Sequence, residues 1–131
     1  MHLRREVIAG PDVPAALGPY SPGVRAGDWL YVAGQAGTDP ATGKAAGPTI
    51  GDQARQAMRN VEAVLRAGGS RPELVVNVTV LVADISTFGA VNAIFAETFP
   101  TDPPARMTMQ VPLPLGLLIS VGCVALVDSP D

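Results

Sequence analysis

The chain has 131 residues, the size of one ordinary domain, with 47% hydrophobic residues, only 16% charged residues and a formal net charge of −3. A charged fraction so far below the usual quarter points to a surface partly buried against further copies of the chain. With no basic block beyond Arg4-Arg5, one cysteine and one histidine, composition argues against nucleic-acid binding, an internal disulfide, a Cys-His zinc site and a Ser-His or Cys-His relay.

Glu6 to Ala9 reads as a short first strand. The start of the chain, with Arg4, Arg5 and Glu6, lacks the apolar run of a signal peptide, and no stretch reaches the length of a membrane span. A cytoplasmic protein is expected. Gly10 to Gly27 is rich in glycine and proline and reads as loop; it contains Gly18-Pro19-Tyr20-Ser21-Pro22. A loop that long in a compact domain is often functional. Asp28 to Ala33 carries Trp29, Leu30, Tyr31 and Val32 and predicts a strand, ended by Gly34-Gln35-Ala36-Gly37. Asp39-Pro40 and Thr42-Gly43-Lys44 mark turns.

Thr49, with Asp52 three residues on, is a variant capping box that opens a helix. Ile50, Ala54, Ala57, Met58, Val61, Val64 and Leu65 recur at helical spacing, and Gln53, Arg55, Arg59, Glu62 and Arg66 flank that stripe. Gly68-Gly69 ends it. Leu74 to Val82 is apolar on both faces, which predicts a central strand with helices on one side and a partner on the other. A second helix is expected over Phe88 to Phe99, with Phe88, Val91, Phe95 and Phe99 on one stripe and Pro100 and Pro103-Pro104 as its stop. In the next strand Arg106, Thr108 and Gln110 alternate with Met107, Met109 and Val111, so one face is expected to feed a core and the other to carry a cation. Leu113 to Gly116 turns the chain, and Leu117 to Leu126 closes it as a strand.

The order β-β-α-β-α-β-β predicts an α/β fold: a two-layer sandwich of one mixed sheet with two helices on one face, in a single domain over residues 1–131. The other sheet face stays apolar, and neighbouring subunits are expected to cover it.

Arg106 is the leading candidate for chemistry. A guanidinium is a planar fork of donors suited to a carboxylate, so a small anionic metabolite is the expected ligand. Spacing alone leaves open a structural arginine paired to Asp84 or Asp102, or one solvated at a strand end. Tyr20 reads as a pocket wall with a donor hydroxyl or as a loop anchor. Asn92 reads as a ligand contact or as a surface amide. Gly34 permits close approach to the backbone. Glu6, Glu62, Glu73 and Glu97 sit in solvated contexts, and Cys123 reads as a buried small hydrophobe. His2 lies near a chain end expected to fray. Gly116 and Gly122 make no dinucleotide fingerprint and there is no phosphate-binding P-loop, so no nucleotide cofactor is expected, and no metal.

Taken in order, Gly18-Pro19-Tyr20-Ser21, Val32-Ala33-Gly34-Gln35, Gln53 through Asn60, Val78-Thr79-Val80-Leu81 before Asp84, Phe88 through Asn92 to Phe95, and Pro104-Ala105-Arg106 resemble the RidA/YjgF family of reactive-intermediate deaminases, some members of which were named translation inhibitors or endoribonucleases. The resemblance runs from about Gly18 to Leu126. It implies a chorismate-mutase-like fold and a homotrimer whose sheets line an inner barrel, with clefts between subunits. It implies that Arg106 binds the substrate carboxylate, that Tyr20 and Asn92 shape the site, and that backbone near Ala33 and Gly34 contributes. The implied reaction is cofactor-free hydrolysis of 2-imino and 2-enamino acids to 2-keto acids and ammonia.

The chain departs from the family pattern at several of these places. Ser120 stands where the family glutamate would position water, Thr108 where a cysteine follows the arginine, Ala33 where serine is frequent, and Pro22 where glutamine is. The segment between Val111 and Leu113-Pro114 is about one residue short of the pattern. Three readings follow: hydrolysis with Ser120 or Thr108 holding water, action on a different small acid, or a non-catalytic binder of carboxylate metabolites.

Overall fold

In a computed structural model, residues 4–128 are described. The expectation for His2 lies outside them, as do the last three residues. Six strands form one sheet: β1 (Arg5–Ile8), β2 (Gly23–Ala26), β3 (Trp29–Ala36), β4 (Val75–Val82), β5 (Ala105–Gln110) and β6 (Ile119–Leu126). Their spatial order is β1-β2-β3-β6-β4-β5, antiparallel throughout except for the parallel pair β4–β5. The parallel pair needs a crossover, and α2 (Phe88–Thr98) supplies it. α1 (Ile50–Ala67) joins β3 to β4. The α/β sandwich read from the sequence is therefore correct, with one strand added. β2 lies inside the stretch expected to be loop, because Gly23–Ala26 pairs along both edges with β1 and β3.

Local chemistry sets the ends of α1. The Thr49 hydroxyl accepts the Asp52 N–H at 3.1 Å, and Gly68 caps the last carbonyls. The apolar stripe packs on the sheet: Ala57, Val61, Val64 and Leu65 are buried with Leu30, Val78, Val80, Ile119 and Val121. Gln53 and Asn60, expected to flank that stripe or left without a role, are buried too. They stay polar because each has partners. Asn60 Nδ2 donates to the Ala36 and Thr38 carbonyls at 3.0 and 2.9 Å. Gln53 Nε2 donates to the Gly47 carbonyl at 3.0 Å, and its Oε1 accepts the Leu118 N–H at 2.9 Å. Two side chains of one helix thus fix the loop after β3 and the entry to β6.

β4 shows a shift that alternation alone does not reveal. A bulge between Val75 and Asn77 puts Val75, Val78, Val80 and Val82 under the helices and leaves Val76 exposed. The second correction concerns β5. Its apolar residues do not feed the core: Met107 is 57% exposed and Met109 42%. Arg106 and Thr108 pair with Val78 and Val80, whose side chains lie beneath the helices, so the polar face of β5 is the inward one. Met107 and Met109 join Val7, Trp29, Tyr31 and Leu126 in an exposed apolar set on the helix-free side of the sheet. Among the described residues no helix is long and apolar enough to cross a membrane.

Candidate active site

Arg106 sits at the edge of the sheet beneath α2. Phe88, Asn92 and Phe95 recur at i, i+4 and i+7 on that helix, so all three project from one side of it. The guanidinium carbon lies 4.7 Å from the Phe95 ring centre and 5.3 Å from that of Phe88. Arg106 Nη2 donates to Asn92 Oδ1 at 2.6 Å. The ring faces attract the cation without neutralising it, and the amide fixes its rotation.

Neither aspartate offered as a structural partner holds it. Asp84 accepts the Ser86 N–H at 2.9 Å, and its hydrogen bonds to the Ser86 side chain and backbone keep its carboxyl below the ordinary range. Among the described residues, no ion pair involves Asp102 and none involves Arg106. Thr108, two residues along the same face, has a buried hydroxyl with no hydrogen-bond partner. A positioned, unpaired guanidinium next to an orphan hydroxyl has the chemistry of an anion clamp. In the sequence Phe88 and Phe95 stand on the apolar stripe of the second helix and in a family-matching stretch, with no role at a cation. Their spacing on either side of Asn92 was the available signal for a cation cradle.

The other predicted residues gather elsewhere. Tyr20, Gly34 and Ser120 line a cavity of about 290 Å³ at one end of the sheet. Tyr20 Oη accepts the Leu17 N–H at 3.0 Å, so the residue does anchor its loop while its own proton stays free to donate. Ser120 projects from β6 opposite Leu81 and toward Gly34. A Cβ on Gly34 would lie 2.6 Å from Ser120 Oγ, so glycine is what lets this hydroxyl face the cavity. The bulge between Val32 and Gln35 places Ala33 and Gly34 against β6. Ala33 is fully committed: its N–H donates to the Pro22 carbonyl at 2.9 Å, and its carbonyl accepts Gln35 Nε2 at 3.2 Å. Pro22, at the family's glutamine position, also lines the cavity. Leu17, Leu113 and Leu117, which sequence reasoning passed over, complete much of its wall.

Within one chain, then, Arg106, Asn92 and Thr108 form one group and Tyr20, Gly34 and Ser120 another. No cluster of three or more potential metal-ligating side chains occurs among the described residues. Cys123 is buried, and desolvation pushes its thiol from 9.0 up to about 12, so it is inert at neutral pH.

Residues 11–127 match the family described as endoribonuclease L-PSP. The chain belongs to the RidA/YjgF family. It is 39% identical over 124 residues to Reactive Intermediate Deaminase A, chloroplastic, of Arabidopsis thaliana, covering 94% of this chain and 66% of the plant protein. It is 39% identical over 125 residues to the 2-iminobutanoate/2-iminopropanoate deaminase of Homo sapiens, covering 95% of this chain and 91% of the human protein. The crystal structure of a putative endoribonuclease L-PSP from Entamoeba histolytica superposes with a TM-score of 0.90 at 41% identity, covering 95% of this chain and 100% of that one. The RidA/YjgF fold expected from the motifs is thus the fold of this chain.

Proposed function

We propose that the protein hydrolyses 2-imino and 2-enamino acids to 2-keto acids and ammonia, in clefts that each take Arg106 from one copy and the Tyr20–Gly34–Ser120 cavity from the next. The observation that carries this reading is Arg106, held by Asn92 and two phenyl rings and with no carboxylate partner among the described residues. The names of the plant and human relatives supply the reaction class. The exposed Met107, Met109, Tyr31 and Trp29 supply the surface on which copies assemble, and the family resemblance supplies the homotrimer.

The reaction asks little of the protein. Arg106 and the Thr108 hydroxyl hold the substrate carboxylate, and the guanidinium draws electron density from C2. An enamine first takes a proton at C3 and becomes the imine. Water then adds to C2 and gives up one proton to solvent while a solvent proton reaches the imine nitrogen, giving a carbinolamine. A second solvent proton makes the amine a leaving group, the C–N bond breaks as the carbonyl forms, the hydroxyl proton returns to solvent and ammonia leaves. Ser120 can orient the attacking water by accepting and donating hydrogen bonds, but it cannot take a proton from it at neutral pH. The Tyr20 hydroxyl donates to the departing nitrogen or to the carbinolamine oxygen. The proton inventory therefore runs through solvent, and turnover is slower than it would be with a carboxylate at position 120.

The test is keto-acid release from freshly generated 2-iminopropanoate by wild type and Arg106→Ala. Truncating one member of a buried charge-assisted contact costs about 2–5 kcal/mol, a loss of roughly 30-fold to several-thousand-fold in kcat/KM. Wild-type acceleration abolished in the variant supports the reading. A second reading, a non-catalytic binder of small carboxylates, is favoured by Ser120 in place of an acid. It would show ligand-dependent thermal stabilisation, lost in Arg106→Ala, with no acceleration over spontaneous hydrolysis.

A further inference from the structure

The cavity beside Ser120 carries information about the part of the ligand that Arg106 does not touch. Its walls come from segments far apart in sequence: Leu17 from the loop before β2, and Leu113 and Leu117 from the loop before β6. Among the described residues no charged side chain lines it. Two of its polar residues are already engaged, the Tyr20 oxygen with the Leu17 N–H and the Gln35 amide with the Ala33 carbonyl. An ionised group entering here would lose its hydration and meet no counter-charge. A cavity of about 150 Å³ with apolar walls is enough to take benzene. This one is about 290 Å³, so beside the attacking water at Ser120 it has room for more than a one- or two-carbon side chain.

We propose that the cavity lined by Leu17, Leu113 and Leu117 receives the side chain of the 2-imino acid and selects large apolar side chains, branched aliphatic or aromatic, over short or charged ones. This rests on the reading of Arg106 as the carboxylate clamp of an adjacent copy. Selection follows from area: each methylene moved from water into apolar surroundings is worth about fourfold in binding. The carboxylate contact is common to all substrates, so it contributes nothing to the difference.

The experiment compares kcat/KM for imines generated in place from alanine, norvaline, leucine, phenylalanine and glutamate. Rates should rise from alanine to leucine by about tenfold or more, with glutamate below alanine. Leu113→Trp and, independently, Leu17→Phe should collapse the leucine-to-alanine ratio, each being checked for native circular dichroism. Equal kcat/KM across the aliphatic series, or a preference for glutamate, overturns the proposal and leaves the deaminase reading standing. If no imine is accelerated, the corresponding 2-keto acids are used as ligands in thermal unfolding. Stabilisation by 4-methyl-2-oxopentanoate and phenylpyruvate beyond that by pyruvate, lost in Leu113→Trp, keeps the side-chain cavity while the deaminase reading falls. Stabilisation that is flat, absent or led by 2-oxoglutarate overturns both.

Discussion

Arg106 and Ser120 stand on opposite faces of the same sheet. Arg106 pairs with Val78 beneath the helices, whereas Ser120 pairs with Leu81 on the helix-free side, with β4 lying between their strands. A backbone layer separates the guanidinium from the hydroxyl, so one small substrate cannot touch both in one chain. Either the two groups serve different ends or a second copy joins them.

Subunit mixing separates those cases. Arg106→Ala copies keep an intact cavity, and Leu113→Trp copies keep an intact clamp. If each site takes one part from each of two copies, unfolding the two inactive variants together at equal amounts and refolding them restores activity at about one quarter of the sites. If each chain works alone, the mixture stays as inactive as its components. Turnover of the leucine-derived imine, which Arg106→Ala cannot clamp and Leu113→Trp cannot seat, is the measurement before and after mixing.

Gly34 and Ser120 should behave as a coupled pair. In Gly34→Ala the new methyl would press on Ser120 Oγ, which can rotate away. The expected stability loss is about 1 kcal/mol, the cost of an unfavourable rotamer, while kcat falls because the hydroxyl no longer faces the cavity. Removing the hydroxyl in Ser120→Ala relieves the contact, since the Ser120 Cβ is 4.0 Å from the same point. Adding Ser120→Ala to Gly34→Ala should therefore recover stability, and a double-mutant cycle by urea denaturation should give a non-zero interaction energy.

Asn60 is expected to matter more than its place outside both candidate groups suggests. Asn60→Ala leaves the partly buried Ala36 and Thr38 carbonyls without their side-chain donor. The cost should be about 2–4 kcal/mol in urea denaturation, with an unchanged m-value. Thr38 and Ala36 also line the cavity, so KM should rise before kcat falls. Asn60→Asp should not rescue, because an ionised carboxylate cannot donate to two carbonyls.

Cys123 predicts an alkaline dependence of stability. Burial raises its thiol from 9.0 to about 12 in the folded chain. The folded state therefore holds the proton at pH values where the unfolded chain has released it. Its contribution is complete below about pH 9 and is lost as pH rises toward 12. Unfolding free energy should fall across that window, and the fall should be shallower in Cys123→Val. At pH 8 a thiol-alkylating reagent should react with Cys123 only on unfolding.

Much of the fold was legible in the chain. Thr49 and Gly68 mark their helix by local capping, Pro100 stops the next by chain geometry, and the strands from Trp29 and from Val75 declare themselves by composition. β2 was hidden because a four-residue strand amid glycine and proline carries no period of its own and exists by pairing on both edges. The ordered motifs around Tyr20, Gly34 and Arg106 pointed to the family and, through it, to the reaction class. Those are properties of short segments, and sequence encodes them directly.

Tertiary structure alone decided which side of β5 faces inward. Alternation shows that Arg106 and Met107 point opposite ways; it cannot say which way the helices lie. The parallel pairing with β4 settles it, sending the cation under α2 and the methionines outward. It likewise split the candidate residues into two groups and gave Gln53 and Asn60 their buried partners. The reason is common to all three. Each depends on contacts between residues distant along the chain, and local periodicity constrains the direction of a side chain without constraining what it meets.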